Sequence, residues 1–425
     1  MQNIDKIISP KWVLSSKNDC LLEDHSIAIE GNIIKEVRPS REILNKYSTN
    51  SHLILKNHII VPGLVNNNIS TPYIFSKKYL KNKTITNRDD LKNKMYLSLS
   101  AKVIICKMIK NGITTFTDTS TYPDIVLKAA IESGIRANIG LPIMSYKTNW
   151  ANKEQEYFKK SISFFDEYRD NPSTKLYLNL NSINMLSRKG FEKVSKIISE
   201  LDVPVRMYLH EDLNKLNIFK KKYKHRPIRF LEEMGLLSST FTAINPFHVI
   251  QSDINLMKKY KVHVVHSPTS NIINHNMKCN TEYFLKNKIK VSLGTGECAI
   301  NNSLDLFTEM RLVWLLSKLN KDKNNHLDKK ELLGLIMHNG ANALGLNFNM
   351  GKIKANYSAD IISIKVDDID VNSLSLYNSI ENELISDNIE NVWISGKQIL
   401  KNKKLLTMNE NMLYDEFTGL INSKV

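Results

Sequence analysis

The stretch MIKNGITTFTD, residues 108–118, closes one element and opens the next within a few positions. An amphipathic run, LKNKMYLSLSAKVIICKMIK (91–110), stops at Asn111-Gly112, a pair that ends helices, and Ile113 to Thr117 then starts a strand rich in β-branched residues. The same junction recurs in both directions along the chain. Apolar β-type runs at Leu64 to Asn66, Ala137 to Pro142, Lys175 to Leu180, Val205 to Leu209, Thr240 to Val249, Val262 to Ser267 and Val291 to Thr295 alternate with helical patterns such as SLDLFTEMRLVWLLSKLN (303–320). With Ile113 to Thr117 these make eight strands over ~280 residues, which predicts an α/β fold of the (β/α)8 TIM-like barrel type. No G-x-G-x-x-G follows the first strand, so an open dinucleotide-binding sheet is disfavoured. Chemistry in such barrels sits at the C-terminal ends of the strands, and the residues to read are those that end each run.

The chain ends have a different texture. IDKIIS, the pair HSIAIEG and NIIKEVRP around Glu30-Gly31-Asn32, and HLILKNHIIVPG read as short strands and a hairpin. Similar runs return in SADIISIKV and in NVWISGKQILKNKKLL, which turns at Ser395-Gly396. Residues 1–62 and 349–425 are therefore expected to form one small composite β-sandwich domain, with residues 63–348 forming the barrel.

A chain of 425 residues and 48.8 kDa with 42% hydrophobic residues can bury a large core. Mean hydropathy of −0.29, with no uncharged apolar run near 18 residues, predicts no membrane span. The N-terminus, MQNIDKIISPKWVL, carries no signal-peptide pattern, which points to the cytoplasm. Cys20, Cys106, Cys279 and Cys298 have no metal-type or disulfide-framework spacing and read as reduced, mostly buried thiols. The formal charge of +16 invites a nucleic-acid partner. Against it, 49 of the 59 basic residues are lysines spread over most helices, and FKKKYKHRPIR (219–229) is the one dense patch. Phosphate-reading surfaces favour clustered arginine, so compositional drift toward Lys, Asn and Ile is the better account and nucleic acid is disfavoured.

Several segments, in order, resemble the amidohydrolase superfamily, in particular the zinc deaminases of methylthioadenosine and S-adenosylhomocysteine and the related chlorohydrolases. They are IVPGLVN (60–66), MIKNGITTFTD (108–118), HEDLNK (210–215), VVHSPTSN (264–271), SLGTG (292–296), NNSLDLFTEMRL (301–312), NGANALGL (339–346) and MGKIKANYSADIISI (350–364). The resemblance covers nearly the whole chain and implies the same barrel plus β-domain.

The chemistry it implies needs zinc or another divalent metal. Attack on the C6 amidine carbon of an adenine requires hydroxide near neutral pH, and zinc supplies it by lowering the pKa of bound water from ~15.7 to roughly 7–9. The family's N-x-H-x-H at the end of the first strand reads Asn66-Asn67-Asn68-Ile69-Ser70 here, so Asn68 and Ser70 stand where two histidine ligands belong. Counting back from Glu211 puts Tyr208 at the third histidine, and the family's L-G-T-D-G reads Leu293-Gly294-Thr295-Gly296-Glu297, which puts Gly296 at the aspartate. All four metal positions are substituted, so no metal cofactor is expected. Forfeiting ~7–9 pKa units in the energy of making hydroxide amounts to about 9–12 kcal/mol.

Two positions survive. Glu211 matches the glutamate that contacts a ring nitrogen of the substrate and moves protons, and His248 matches the sixth-strand histidine beside the metal-bound water; each also has a structural reading, as a carboxylate in a polar mouth and a satisfied strand-end histidine. His266 and Asn271 match a turn, and Glu309 and Arg311 match a helix start, both with architectural explanations. The loop STPYIFSKKYLKNKTITNR (70–88) carries five basic residues and no acid where the family places ribose-binding acids.

The resulting expectation is a degenerate amidohydrolase that has lost metal-dependent deamination and serves as a binding protein or inactive subunit. It would take a purine-like small molecule and pair with a second copy or an active paralogue. The alternative is an active hydrolase of C–N bonds with a rebuilt site, using Glu211 and His248 as acid and base or Glu297 and Cys298 as replacement ligands. A basic nucleic-acid-binding protein is the third reading.

Overall fold

The computed structural model describes residues 1–15, 20–73, 94–298, 300–320, 326–343, 349–366 and 386–422. Eight parallel strands form the barrel: β1 Leu64–Ser70, β2 Ile113–Asp118, β3 Arg136–Pro142, β4 Thr174–Leu180, β5 Val205–Tyr208, β6 Phe241–Ile244, β7 His263–His266 and β8 Val291–Leu293. They hydrogen-bond in sequence order. Just past β8, Gly296–Glu297 pairs with Ile69 and Ser70 of β1 and brings the last strand back to the first.

Local chemistry sets the element ends. The helix Pro123–Ser133 starts with Pro in its first turn and stops at Gly134, whose φ of 78° is open to glycine at no steric cost. Asp212 caps Leu213–Tyr223 by accepting the Lys215 amide at 2.8 Å, and Asp305 caps Leu306–Lys318 through the Phe307 amide at 2.9 Å. The sixth strand is shorter than the apolar run Thr240 to Val249 predicts. Asn245 takes a φ of 50°, a left-handed turn that Asn tolerates, and the backbone leaves the sheet there.

The second domain is a nine-stranded sheet to which both ends of the chain contribute. Its central strand, His52–Pro62, pairs in parallel with Lys6–Leu14 and antiparallel with Ile361–Lys365. Ile8, Val13, Ile27, Ile29, Ile60, Ile361 and Trp393 share its apolar core. That central strand runs through Gly63 straight into β1. A Cβ at Gly63 would lie 2.2 Å from the Thr114 hydroxyl oxygen, so only glycine lets the two layers approach this closely.

No helix among the described residues is long and apolar enough to cross a membrane. Cys106, Cys279 and Cys298 are buried, Cys20 is exposed, and all four are free thiols. The basic patch is partly neutralised in place, with Arg226 paired to Asp253 at 2.6 Å and Arg229 to Glu232. Most of the basic loop 70–88 lies outside the described residues.

Candidate functional site

Side chains alternate along each barrel strand, so Asn66, Asn68 and Ser70 follow one phase of β1 and Arg206 and Tyr208 one phase of β5. At the C-terminal end Asn68, Tyr208 and Ser267 form a neutral hydrogen-bonded cluster. The Tyr208 hydroxyl donates to Asn68 Oδ1 at 3.4 Å, and Asn68 Nδ2 donates to Ser267 Oγ at 3.0 Å. One layer deeper, Asn66 Nδ2 donates to Thr295 Oγ1 at 2.8 Å and Asn66 Oδ1 accepts the Thr295 amide at 3.1 Å. Burial pushes the Tyr208 phenol up to about 12, so it stays protonated at neutral pH.

Gly296 completes this cluster with backbone alone. Its φ is 74°, and a Cβ there would sit 2.3 Å from Ser270 Oγ, a hydroxyl that donates to the Thr295 carbonyl at 2.9 Å. An aspartate in this position meets left-handed strain and a steric clash together. Gly296→Asp is expected to lower stability by about 2–4 kcal/mol, read as a drop in the urea midpoint at unchanged slope. A variant as stable as the parent would refute this packing argument.

The donor set does not fit a zinc ion. Zinc sites take imidazole, thiolate or carboxylate donors. Here the four positions offer a carboxamide, an aliphatic hydroxyl, a protonated phenol and no side chain at all. Among the described residues no three His, Cys, Asp or Glu side chains group closely enough to hold a metal. Glu297 and Cys298 face different surroundings: Glu297 is exposed, whereas Cys298 is fully buried and its thiol is pushed well above the usual range by burial.

Glu211 and His248 both lie at the mouth. Glu211 follows β5 after His210, which adopts a φ of 57°, and its Oε1 accepts from Lys215 Nζ at 2.8 Å. Its Oε2 is buried with no partner, and burial raises the carboxyl above its ordinary value. A shallow cleft enclosing about 10 Å³, room for one water, opens beside Glu211 and is lined by Tyr208, His210, Lys215, Ser182 and Ile183.

His248 is half-buried, and desolvation lowers its pKa. Its backbone is fixed on both sides: the amide donates to the His210 carbonyl at 3.1 Å, and the carbonyl accepts from Arg226 Nη2 at 2.6 Å. Arg226 also grips Asp253 through Nε and Nη2, stitching the two loops together. The ionisable neighbours of Glu211 are Lys215 and Asp212, and those of His248 are Asp212, Arg226 and His275.

The remaining sequence candidates have structural partners. His266 Nδ1 pairs with Thr281 Oγ1 at 2.9 Å, Asn271 Nδ2 donates to Asn245 Oδ1 at 3.1 Å, and Glu309 accepts from the Thr269 amide and Asn301 Nδ2. Burial holds the Glu309 carboxyl near pH 7. Asp118 and Arg206 are among the buried charged residues of the barrel that the sequence does not flag. Asp118, at the end of β2, accepts the Thr71 amide at 2.8 Å and anchors the exit of β1. Arg206, on β5, is 1% exposed. It stands two positions before Tyr208, in the same phase of the strand.

Comparison with known proteins agrees with this architecture. The model of the amidohydrolase family matches residues 59–399. The chain is 25% identical over 419 residues to a 5-methylthioadenosine/S-adenosylhomocysteine deaminase of Teredinibacter turnerae, covering 96% of this chain and 94% of that one. It is 28% identical over 412 residues to a 5′-deoxyadenosine deaminase of Methanococcus vannielii, covering 92% and 94%. Among solved structures, a zinc-bound adenosine deaminase from Xanthomonas campestris superposes with a TM-score of 0.92 over 99% of both chains at 23% identity. A zinc complex of atrazine chlorohydrolase from Arthrobacter aurescens superposes with a TM-score of 0.85 over 98% of this chain and 99% of that one at 18% identity. With the family match spanning most of the sequence and the barrel and second sheet in place, the chain belongs to the amidohydrolase family.

Proposed function

We propose that this protein binds a purine-like small molecule at the barrel mouth and does not carry out metal-dependent deamination, acting as a cytoplasmic binding protein or as the inactive partner of a second copy or an active paralogue. The observation that carries this reading is that the positions where the family resemblance puts metal ligands hold Asn68, Ser70, Tyr208 and Gly296, with Tyr208 and Asn68 hydrogen-bonded to each other. The likeness to adenosine-type deaminases supports the ligand class. Glu211 supports the mode of binding, because its Oε2, without a partner at the barrel mouth, is an acceptor suited to a ring N–H. A rival reading, a metal-free C–N hydrolase, draws on the raised carboxyl of the same residue, since a carboxylic acid shifted toward neutrality can donate a proton.

Titration calorimetry with methylthioadenosine and adenosine tests the binding. Saturable binding is expected, weakened roughly 10–100-fold in Glu211→Gln, the loss of one charge-assisted hydrogen bond. No binding of either nucleoside would overturn the ligand class, and binding unaffected by Glu211→Gln would overturn the assigned contact.

A further inference from the structure

Strand neighbours in register point to the same side of a barrel wall. Arg206 on β5 is in register with Asn179 on β4 and Thr242 on β6, and Thr242 with His263 on β7. All follow the inward phase that Tyr177 marks, its ring centroid 5.3 Å from the Arg206 guanidinium carbon. The guanidinium therefore lies in the barrel interior, one layer beneath Tyr208.

Its surroundings do not balance its charge. Nη2 donates to the Asn67 carbonyl, while Nε and Nη1 are buried with no partner among the described residues. Among the described residues no carboxylate pairs with it; the ionisable side chains that bear on it are Tyr177, Tyr208 and His263. The Tyr177 hydroxyl is committed to the Asp118 carbonyl at 2.6 Å, and His263, held neutral by burial, is committed to Ser292 Oγ at 2.9 Å. A guanidinium cannot shed its proton as a buried lysine does, so an isolated one demands an anion.

We infer that the barrel interior is a binding site for a small monovalent anion, a halide or a formate-sized carboxylate, held by the unpartnered N–H groups of Arg206. Nε–H and the Nη1 hydrogens leave opposite flanks of the guanidinium, so the anion sits against one of these flanks and balances the charge there. This site is independent of the ligand assigned to the mouth. It also supplies a fixed positive charge beneath the positions where relatives would hold a metal.

The test compares thermal unfolding of the full chain in sodium chloride, bromide, formate and gluconate at equal ionic strength. A saturable rise of roughly 2–5 °C over gluconate is expected with at least one of the small anions. Response to halides identifies an inorganic ion, and response to formate alone identifies the carboxylate of an organic ligand. Arg206→Met is expected to remove the dependence and to match or exceed the parent in gluconate, since it deletes an uncompensated charge. Should that variant fail to fold, anomalous scattering from bromide-soaked crystals, and a formate-soaked crystal beside them, decide on the parent protein. Equal melting in all four salts with no anion density at Arg206 would overturn the proposal.

Discussion

Incubated with zinc and methylthioadenosine, S-adenosylhomocysteine or 5′-deoxyadenosine, the purified protein is expected to release ammonia on the order of 10³–10⁴-fold more slowly than a zinc-loaded deaminase. The size follows from the hydroxide. Without a metal the attacking water keeps a pKa of ~15.7, and reaching hydroxide at neutral pH costs about 9–12 kcal/mol more than at zinc. A free hydroxide is a better nucleophile than a metal-bound one, and a Brønsted slope of ~0.4–0.5 returns about half of that energy. The remainder, about 4.5–6 kcal/mol, corresponds to roughly 3–4 decades at ~1.36 kcal/mol per decade. Gly296 makes the deficit worse, because no side chain at that position can relay a proton. Ammonia release within tenfold of a zinc enzyme, together with near-stoichiometric zinc after dialysis, would sink this reading.

The barrel was legible because its signals are local and repeated. The stop at Asn111-Gly112 followed by Ile113 to Thr117 states the helix-to-strand junction in a few residues, and the structure places β2 at Ile113–Asp118. The run from Thr240 to Val249 misled on length because hydrophobicity continues past the point where the backbone turns at Asn245. The short helix Ser40–Lys46 was missed for the converse reason: its seven residues bury only Ile43, too little for a periodic pattern.

The site was legible only as positions. Counting back from Glu211 finds Tyr208, but nothing local says that the phenol reaches across the barrel to Asn68, since that bond spans 140 residues. Arg206 went unread for the same reason. An arginine between Val205 and Met207 is an ordinary strand residue until the barrel closes around it.

Arg136→Met is expected to destabilise the protein by about 3–5 kcal/mol, through loss of the clasp between barrel and sheet domain. Arg136 opens β3 at the barrel's N-terminal face, and Asp360 immediately precedes the strand Ile361–Lys365 of the second sheet. The two side chains are 8% and 1% exposed and meet at 2.8 Å through Arg136 Nε and Asp360 Oδ2. Arg136 Nη2 also donates to Ser358 Oγ at 2.9 Å and Ser395 Oγ at 2.5 Å, so one guanidinium ties three segments of the sheet domain to the barrel. Asp360 accepts the Ser395 amide at 2.6 Å as well, and its own carbonyl accepts the Gly63 amide at 2.9 Å at the junction between the domains. Removing the arginine leaves a buried carboxylate with a single amide donor and no counter-charge, and that orphaned charge, more than the lost attraction, sets the penalty. Asp360→Asn in the same chain removes the orphan. The double variant is therefore expected to recover a good part of the loss, and a double-mutant cycle on urea unfolding measures the coupling. Additive single effects would mean that the two side chains act separately and that the domains are held together by their apolar contact alone.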